Sequence, residues 1–117
     1  MKIGVGVGRS FAVSPGCYVT GFNGIEIGDN TIFGPGVGIV SANHDLFNHE
    51  QTKNPPIKIG KNCWLGMNSV ILPGVNLGDN TVVAAGAVVT ESFGGDVVIG
   101  GVPATIIRNL EGTPSGA

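Results

Sequence analysis

The sequence predicts an all-β solenoid, a stack of three-sided coils in one domain, and three observations predict it. Ile59, Leu65, Ile71, Leu77, Val83 and Val89 fall six residues apart without a gap. Three residues after each comes Asn62, Asn68, Gly74, Asn80, Gly86 and then Ser92. Asn and Gly tolerate positive φ most easily, so each short apolar strand is followed by a left-handed turn. Finally, only 12% of the 117 residues are charged. The usual share is roughly a quarter, and a low share suits coils that hide each other's surface.

Along the chain, residues 1–24 continue the period through Met1, Val7, Val13, Val19 and Ile25, with irregular turn residues. From Ile25 the pattern is clean, with Ile27 opening a six-residue series. Phe33 and Ile39 follow at six-residue spacing, with Asn30 and Gly36 at the turns. The phase then stops over residues 43–56, which carry both histidines, His44 and His49, and end in Pro55-Pro56. A long excursion inside a compact domain is usually functional. The repeat resumes at Ile57 and fades after Thr90. Val97 to Ile99 reads as a last strand and 103–110 as a short turn or cap. We expect a solenoid domain over 1–110 and a flexible tail over 111–117.

Three six-residue edges make a coil of 18 residues, so residues 18 apart should stack about 4.8 Å from one another. Alternation then sends each apolar anchor inward together with the residue two before it: Ile57, Cys63, Ser69, Val75, Thr81 and Ala87. Cys63 is thereby a buried, inert thiol. The residue just before each anchor points outward. Lys58 and Asn76 make a polar edge, whereas Trp64 with Val82 and Val70 with Val88 make two apolar ones. Such edges on a short solenoid imply self-association, which a threefold ring would satisfy with one repeated contact. His44 falls on an outward position, and Glu26, 18 residues earlier, should lie one coil below it. An imidazole at an edge beside a long loop is a candidate general base.

The formal net charge of −2, without a basic cluster, leaves no electrostatic footprint for nucleic acid. No apolar run reaches the roughly 20 residues of a membrane span, and the first residues lack a signal-peptide core. Cys17 and Cys63 imply neither a metal site nor a disulfide framework. These features read as a cytoplasmic protein.

Several segments carry a family likeness. They are Ser41-Ala42-Asn43-His44-Asp45, then Ile59-Gly60-Lys61-Asn62-Cys63-Trp64-Leu65-Gly66, Ile71-Leu72-Pro73-Gly74-Val75, Ala85-Gly86-Ala87-Val88-Val89-Thr90, and Gly101-Val102-Pro103-Ala104 with Arg108. They resemble hexapeptide-repeat acyltransferases, most of all galactoside and maltose O-acetyltransferases and the antibiotic and polysaccharide acetyltransferases. The resemblance implies a single-stranded left-handed parallel β-helix with one extruded loop near 43–56. It implies a homotrimer that holds acetyl-CoA between subunits and needs no metal. Its acceptor would be a hydroxyl of a sugar, glycan or small compound. By the same match His44 is the catalytic base and the backbone N–H of Met67 the oxyanion donor. Trp64, Ala85, Thr90 and Arg108 would serve the coenzyme. Ser14 stands where sugar-acetylating members carry an Asn near the reacting groups. Glu91 and Thr105 stand where basic groups often assist the coenzyme. The helical segment that selects acceptors in that branch has no counterpart in residues 1–24. Glu26 would orient His44, or serve only as a solvated edge carboxylate.

Two other function classes use related scaffolds. A metal-dependent hydratase of the gamma carbonic anhydrase type would place ligands at His44 and His49, but its zinc takes three histidines and this chain has two. A non-catalytic solenoid of the ice-binding kind would show an outward Thr ladder, where this chain has Glu26, Ile32, Lys58, Trp64, Val70 and Val82.

Overall fold

The computed structural model describes residues 2–5, 18–20, 25–40, 43–44, 52–53 and 56–110. Every regular element among them is a strand, in the order β1 (Lys2–Ile3), β2 (Tyr18–Thr20), β3 (Ile25–Ile27), β4 (Ile32–Phe33), β5 (Gly38–Val40), β6 (Asn43–His44), β7 (Thr52–Lys53), β8 (Ile57–Ile59), β9 (Trp64–Leu65), β10 (Val70–Ile71), β11 (Asn76–Leu77), β12 (Val82–Val83), β13 (Val88–Val89), β14 (Val97–Gly100) and β15 (Thr105–Asn109). They form three walls of a prism. The first face is β1-β3-β8-β11, the second is β15-β14-β12-β9-β4 and the third is β13-β10-β5-β2. From β8 to β13 consecutive strands lie on successive faces, and each pairs in parallel with the strand one coil away.

The inward rows form the core as the spacing requires. The anchors Ile59, Leu65, Ile71, Leu77, Val83 and Val89 are buried, and so are Ile57, Cys63, Ser69, Val75, Thr81 and Ala87. Each fully buried Ile, Leu or Val contributes about 1.5–3 kcal/mol. The turns behave as the residue types dictate: φ is positive at Asn30, Gly36, Asn62, Asn68, Gly74, Asn80 and Gly86.

The register locates every interruption. Val70 stacks on Val88 and Trp64 on Val82, 18 apart. Across the excursion the offset becomes 32: Gly38 meets Val70, Ile32 meets Trp64 and Glu26 meets Lys58. The excess over one coil equals the length of segment 43–56, which is therefore extruded without disturbing the stack. Its described part is a small antiparallel pair, Asn43 opposite Lys53 and His44 opposite Thr52.

Four expectations are corrected by this register. Glu26 does not lie one coil below His44, because its parallel partners are Lys2 and Lys58. After β5 on the third face, the next strand on the first face is β8, so counting 18 across that point fails. Near the N-terminus Val19 pairs with the anchor Ile39, and the next anchor is Ile27 rather than Ile25, since Ile27 pairs with Ile59. Two extra residues lie between those strands. Ser92 lacks the positive φ expected of it; Gly95 and Asp96 carry it instead. The Ser92 hydroxyl accepts a hydrogen bond from the Asn76 N–H at 2.9 Å. Finally, residues 103–110 are not only a turn or cap. They contain β15, which runs antiparallel to β14.

Candidate active site

Each corner of the prism repeats one turn, and the residue two after the anchor sits at its outer tip. At the first corner, between the first and second faces, these residues are Val5, Asp29, Lys61 and Asp79. At the second corner, between the second and third faces, they are Pro35, Met67 and Ala85. The tip's carbonyl accepts from the residue one coil above at both corners, as in Asn80 N–H to Lys61 and Gly86 N–H to Met67, both at 2.9 Å.

The tip N–H groups differ. At the first corner Asp29 Oδ1 accepts from Val5 N–H and Asp79 Oδ1 from Lys61 N–H, each at 2.8 Å. Both contacts need a glycine just before the capped residue, because a Cβ on Gly4 or Gly60 would fall onto the carboxylate oxygen. At the second corner no acceptor among the described residues meets the N–H of Met67. The residue stacked above it is Ala85, which has no acceptor to offer.

Beside this open N–H runs a trough of about 450 Å³ along the prism. Trp64 and Val82 form one wall, and Pro35, Met67 and Ala85 the other. Its floor is nearly bare backbone, at Gly34, Gly66 and Ala84. A Cβ at Gly66 would stand 2.7 Å from the Ala85 nitrogen, and one at Gly34 2.8 Å from the Met67 nitrogen, so the floor is kept clear by close backbone approach. Trp64 is 55% and Met67 51% exposed. Large apolar groups left in water beside a bare floor suit an extended, largely apolar ligand or a second protein surface. Toward the C-terminus the next floor position is Gly100. A Cβ there would lie 2.7 Å from Ile107 Cδ1 and 2.9 Å from the Ala84 Cβ, so Ile107 covers the backbone at this position.

The structure thus brings Trp64, Met67 and Ala85 together. Arg108 lies farther along the same face, because the register runs Trp64 to Val82 to Val98 to Arg108. Three strand spacings separate Arg108 from Trp64, roughly 15 Å. Thr90 is exposed and sits beyond β13, at the third corner and outside the trough. Glu26 is on the first face. His44 lies at the base of the extruded pair, where the structure fixes its backbone register alone. Ser14 and His49 lie outside the described residues. The bare floor and Ile107 were not foreseen. Glycine precedes the tip at the first corner too, in Gly28, Gly60 and Gly78, so glycine alone does not mark the trough. The distinguishing signal is the loss of Asp at the tip.

Cys63 takes no part in the site. It is buried, with Sγ 3.3 Å from the carbonyl of Gly78. Burial pushes its pKa above the ordinary thiol value, outweighing the hydrogen bonds from Thr81 and Thr31 that favour the thiolate.

Parallel coils of hexapeptides on three faces define the class, a parallel β-helix, and its likeness to solved hexapeptide-repeat acetyltransferases gives the left hand. Residues 56–91 match the family model described as the hexapeptide repeat of succinyl-transferase. The chain is 38% identical over 109 residues to galactoside O-acetyltransferase of Escherichia coli K12, an alignment covering 89% of this chain and 53% of that protein. Among solved structures it superposes on a galactoside acetyltransferase in complex with coenzyme A with a TM-score of 0.72, at 29% identity, covering 97% of this chain and 67% of the other. A maltose O-acetyltransferase from Clostridium difficile 630 gives a TM-score of 0.72 at 26% identity, covering 94% and 67%. The chain is therefore similar in sequence and in fold to the hexapeptide-repeat acetyltransferases. It spans about half the length of its Escherichia coli relative. No helix among the described residues is long and apolar enough to cross a membrane.

Proposed function

We propose that the protein is an acyl-CoA-dependent O-acyltransferase. It would move acetyl from acetyl-CoA to a hydroxyl of a sugar, glycan or small hydroxylated compound. The observation that carries this reading is the open N–H of Met67 at the edge of the Trp64 trough. A fixed donor beside an apolar channel is what a thioester carbonyl needs as its oxygen gains charge.

In this reading the pantetheine arm lies in the trough, against Trp64 and over the backbone of Gly66 and Ala84. Arg108, in line with the trough, meets the coenzyme phosphates; its fork of donors suits them. Thr90 contacts the coenzyme from the third corner. His44 accepts the proton of the acceptor hydroxyl while that oxygen attacks the thioester carbonyl. The tetrahedral oxyanion rests on Met67 N–H. Collapse breaks the C–S bond, the ester departs, and the thiolate takes up the proton. Ser14 lies near the acceptor. The apolar outward rows close a threefold ring, and a neighbour's loop brings His44 to the shared groove. The solenoid domain spans 1–110 with a tail over 111–117, and the protein works in the cytoplasm. The support is the likeness to O-acetyltransferases, including one solved with coenzyme A.

The test is thiol release from acetyl-CoA with a panel of sugars. His44→Ala should lower kcat by about 10²–10⁴-fold, the usual contribution of a positioned base. A variant as active as the wild type removes His44 from that role. Light scattering tests the ring, which a monodisperse monomer would contradict.

A further inference from the structure

We infer that Ala85 is a positioning residue whose methyl side chain keeps the N–H of Met67 uncapped. The inference rests on the acyl-transfer reading for its consequence, but on the comparison of corners for its basis.

The stack states a simple rule. A tip N–H is capped where the residue one coil above is Asp, and open where it is not. Asp29 above Val5 gives a bond, and Asp79 above Lys61 gives a bond. Lys61 above Asp29 gives none among the described residues, although the backbone turn is the same, as the 2.9 Å bond from Asn62 N–H to the Asp29 carbonyl shows. At the second corner Ala85 stands above Met67 and gives none.

Every other requirement for a cap is met there. Gly66 precedes Met67 as Gly60 precedes Lys61. The two pairs stack with the same 18-residue offset, since Leu65 pairs with Val83 and Ile59 with Leu77. Asn68 and Asn62 take φ of 60° and 56°. The same fold at the same turn would therefore seat a carboxylate at position 85 on Met67 N–H. Such a cap satisfies a backbone donor with a charged acceptor, a strong form of hydrogen bond. It would also occupy the donor and place a negative charge where the oxyanion forms. Ala at 85 leaves the donor open for the reaction.

The experiment compares Ala85→Asp with Ala85→Leu, which has similar shape and no acceptor. Three readouts are taken on the full chain: kcat and KM for acetyl-CoA, hydrogen exchange of the Met67 amide by NMR, and thermal midpoint. Ala85→Asp should cut kcat by about 10²-fold or more, as loss of an oxyanion donor does. It should slow exchange at Met67 and leave the midpoint unchanged or higher. Ala85→Leu should act mainly on KM, with a fall in kcat at least about tenfold smaller than that of Ala85→Asp, because it crowds the trough without reaching the donor. An Asp variant with wild-type kcat overturns the inference, as does one with a raised KM alone or with an unprotected Met67 amide. So does equal loss of kcat in the Leu variant. A wild type that transfers no acyl group sinks the acyltransferase reading instead, and the exchange readout still decides whether Asp at 85 caps Met67.

Discussion

At the first corner of the prism the N–H of Lys61 ends on the carboxylate of Asp79; at the second the N–H of Met67 meets no acceptor among the described residues. The turns are otherwise alike. The contrast continues one layer inward. Behind the first corner stand the buried hydroxyls of Thr31 and Thr81, which donate to the carbonyls of Gly60 and Gly78 at 2.7 Å. Behind the second stands Ser69, buried, with no hydrogen-bond partner for its hydroxyl among the described residues. One corner is tied by side-chain hydrogen bonds to the coil above and to its own core, while the other shows no such side-chain bond among the described residues. In a regular repeat, function is legible where the repeat withholds a bond it makes elsewhere.

The largest expected effect comes from filling the second corner's floor. A methyl on Gly66 would meet the Val83 carbonyl oxygen at 2.5 Å and the Ala85 nitrogen at 2.7 Å. Backbone cannot yield as a side chain would, so Gly66→Ala should destabilise by about 1–3 kcal/mol in urea unfolding. It should also depress transferase activity by displacing Met67. A variant of unchanged stability would mean that the close approach is not structural. Next come the two buried hydroxyls. Thr81→Val should cost about 1 kcal/mol, the net value of a hydrogen bond, whereas Ser69→Ala should stabilise by up to about 1 kcal/mol because it removes an unpaired polar atom. Equal effects of the same sign would erase the inner half of the contrast. The smallest effect concerns alkali. The Cys63 thiol has a raised pKa in the fold, so the unfolded chain releases its proton first. Stability contributed by the neutral thiol is intact below the ordinary value of 9.0 and declines as pH rises above it. Cys63→Ala should flatten the alkaline limb of the stability–pH profile, and an unchanged limb would contradict the assignment.

The prism was legible in the sequence because inward burial imposes a period. Ile59 through Val89 named the core, and Asn62, Asn68 and Asn80 named the turns. The register across segment 43–56 was not, since counting eighteens assumes an unbroken coil. Glu26 was therefore placed under His44, when the residue one coil above it is Lys58. The last coil escaped for a similar reason. Val98 follows Val82 by 16 residues, so the period slips by two before the chain reverses into β15. In the site, Trp64 was marked by its outward phase and Met67 and Ala85 by likeness. The bare floor was not, because glycine occupies the matching position at the capped corner as well. What distinguished the two was an absent carboxylate, and an absence is read only against the neighbouring coil.

The reversal at β15 has a further consequence. A stack of parallel strands exposes, at its last coil, a template on which another coil could be laid. Here each wall ends differently from how it began. Phe93 bridges Leu77 on the first face, Gly101 and Ala104 take up the backbone of Val88 on the third, and β15 runs backward along the second. An incoming coil would find strand polarity reversed on the second face and only an isolated bridge and two backbone bonds, instead of a strand, on the other two. Within the described residues the last coil thus carries its own terminator, a reversal that disfavours growth of the stack into fibres.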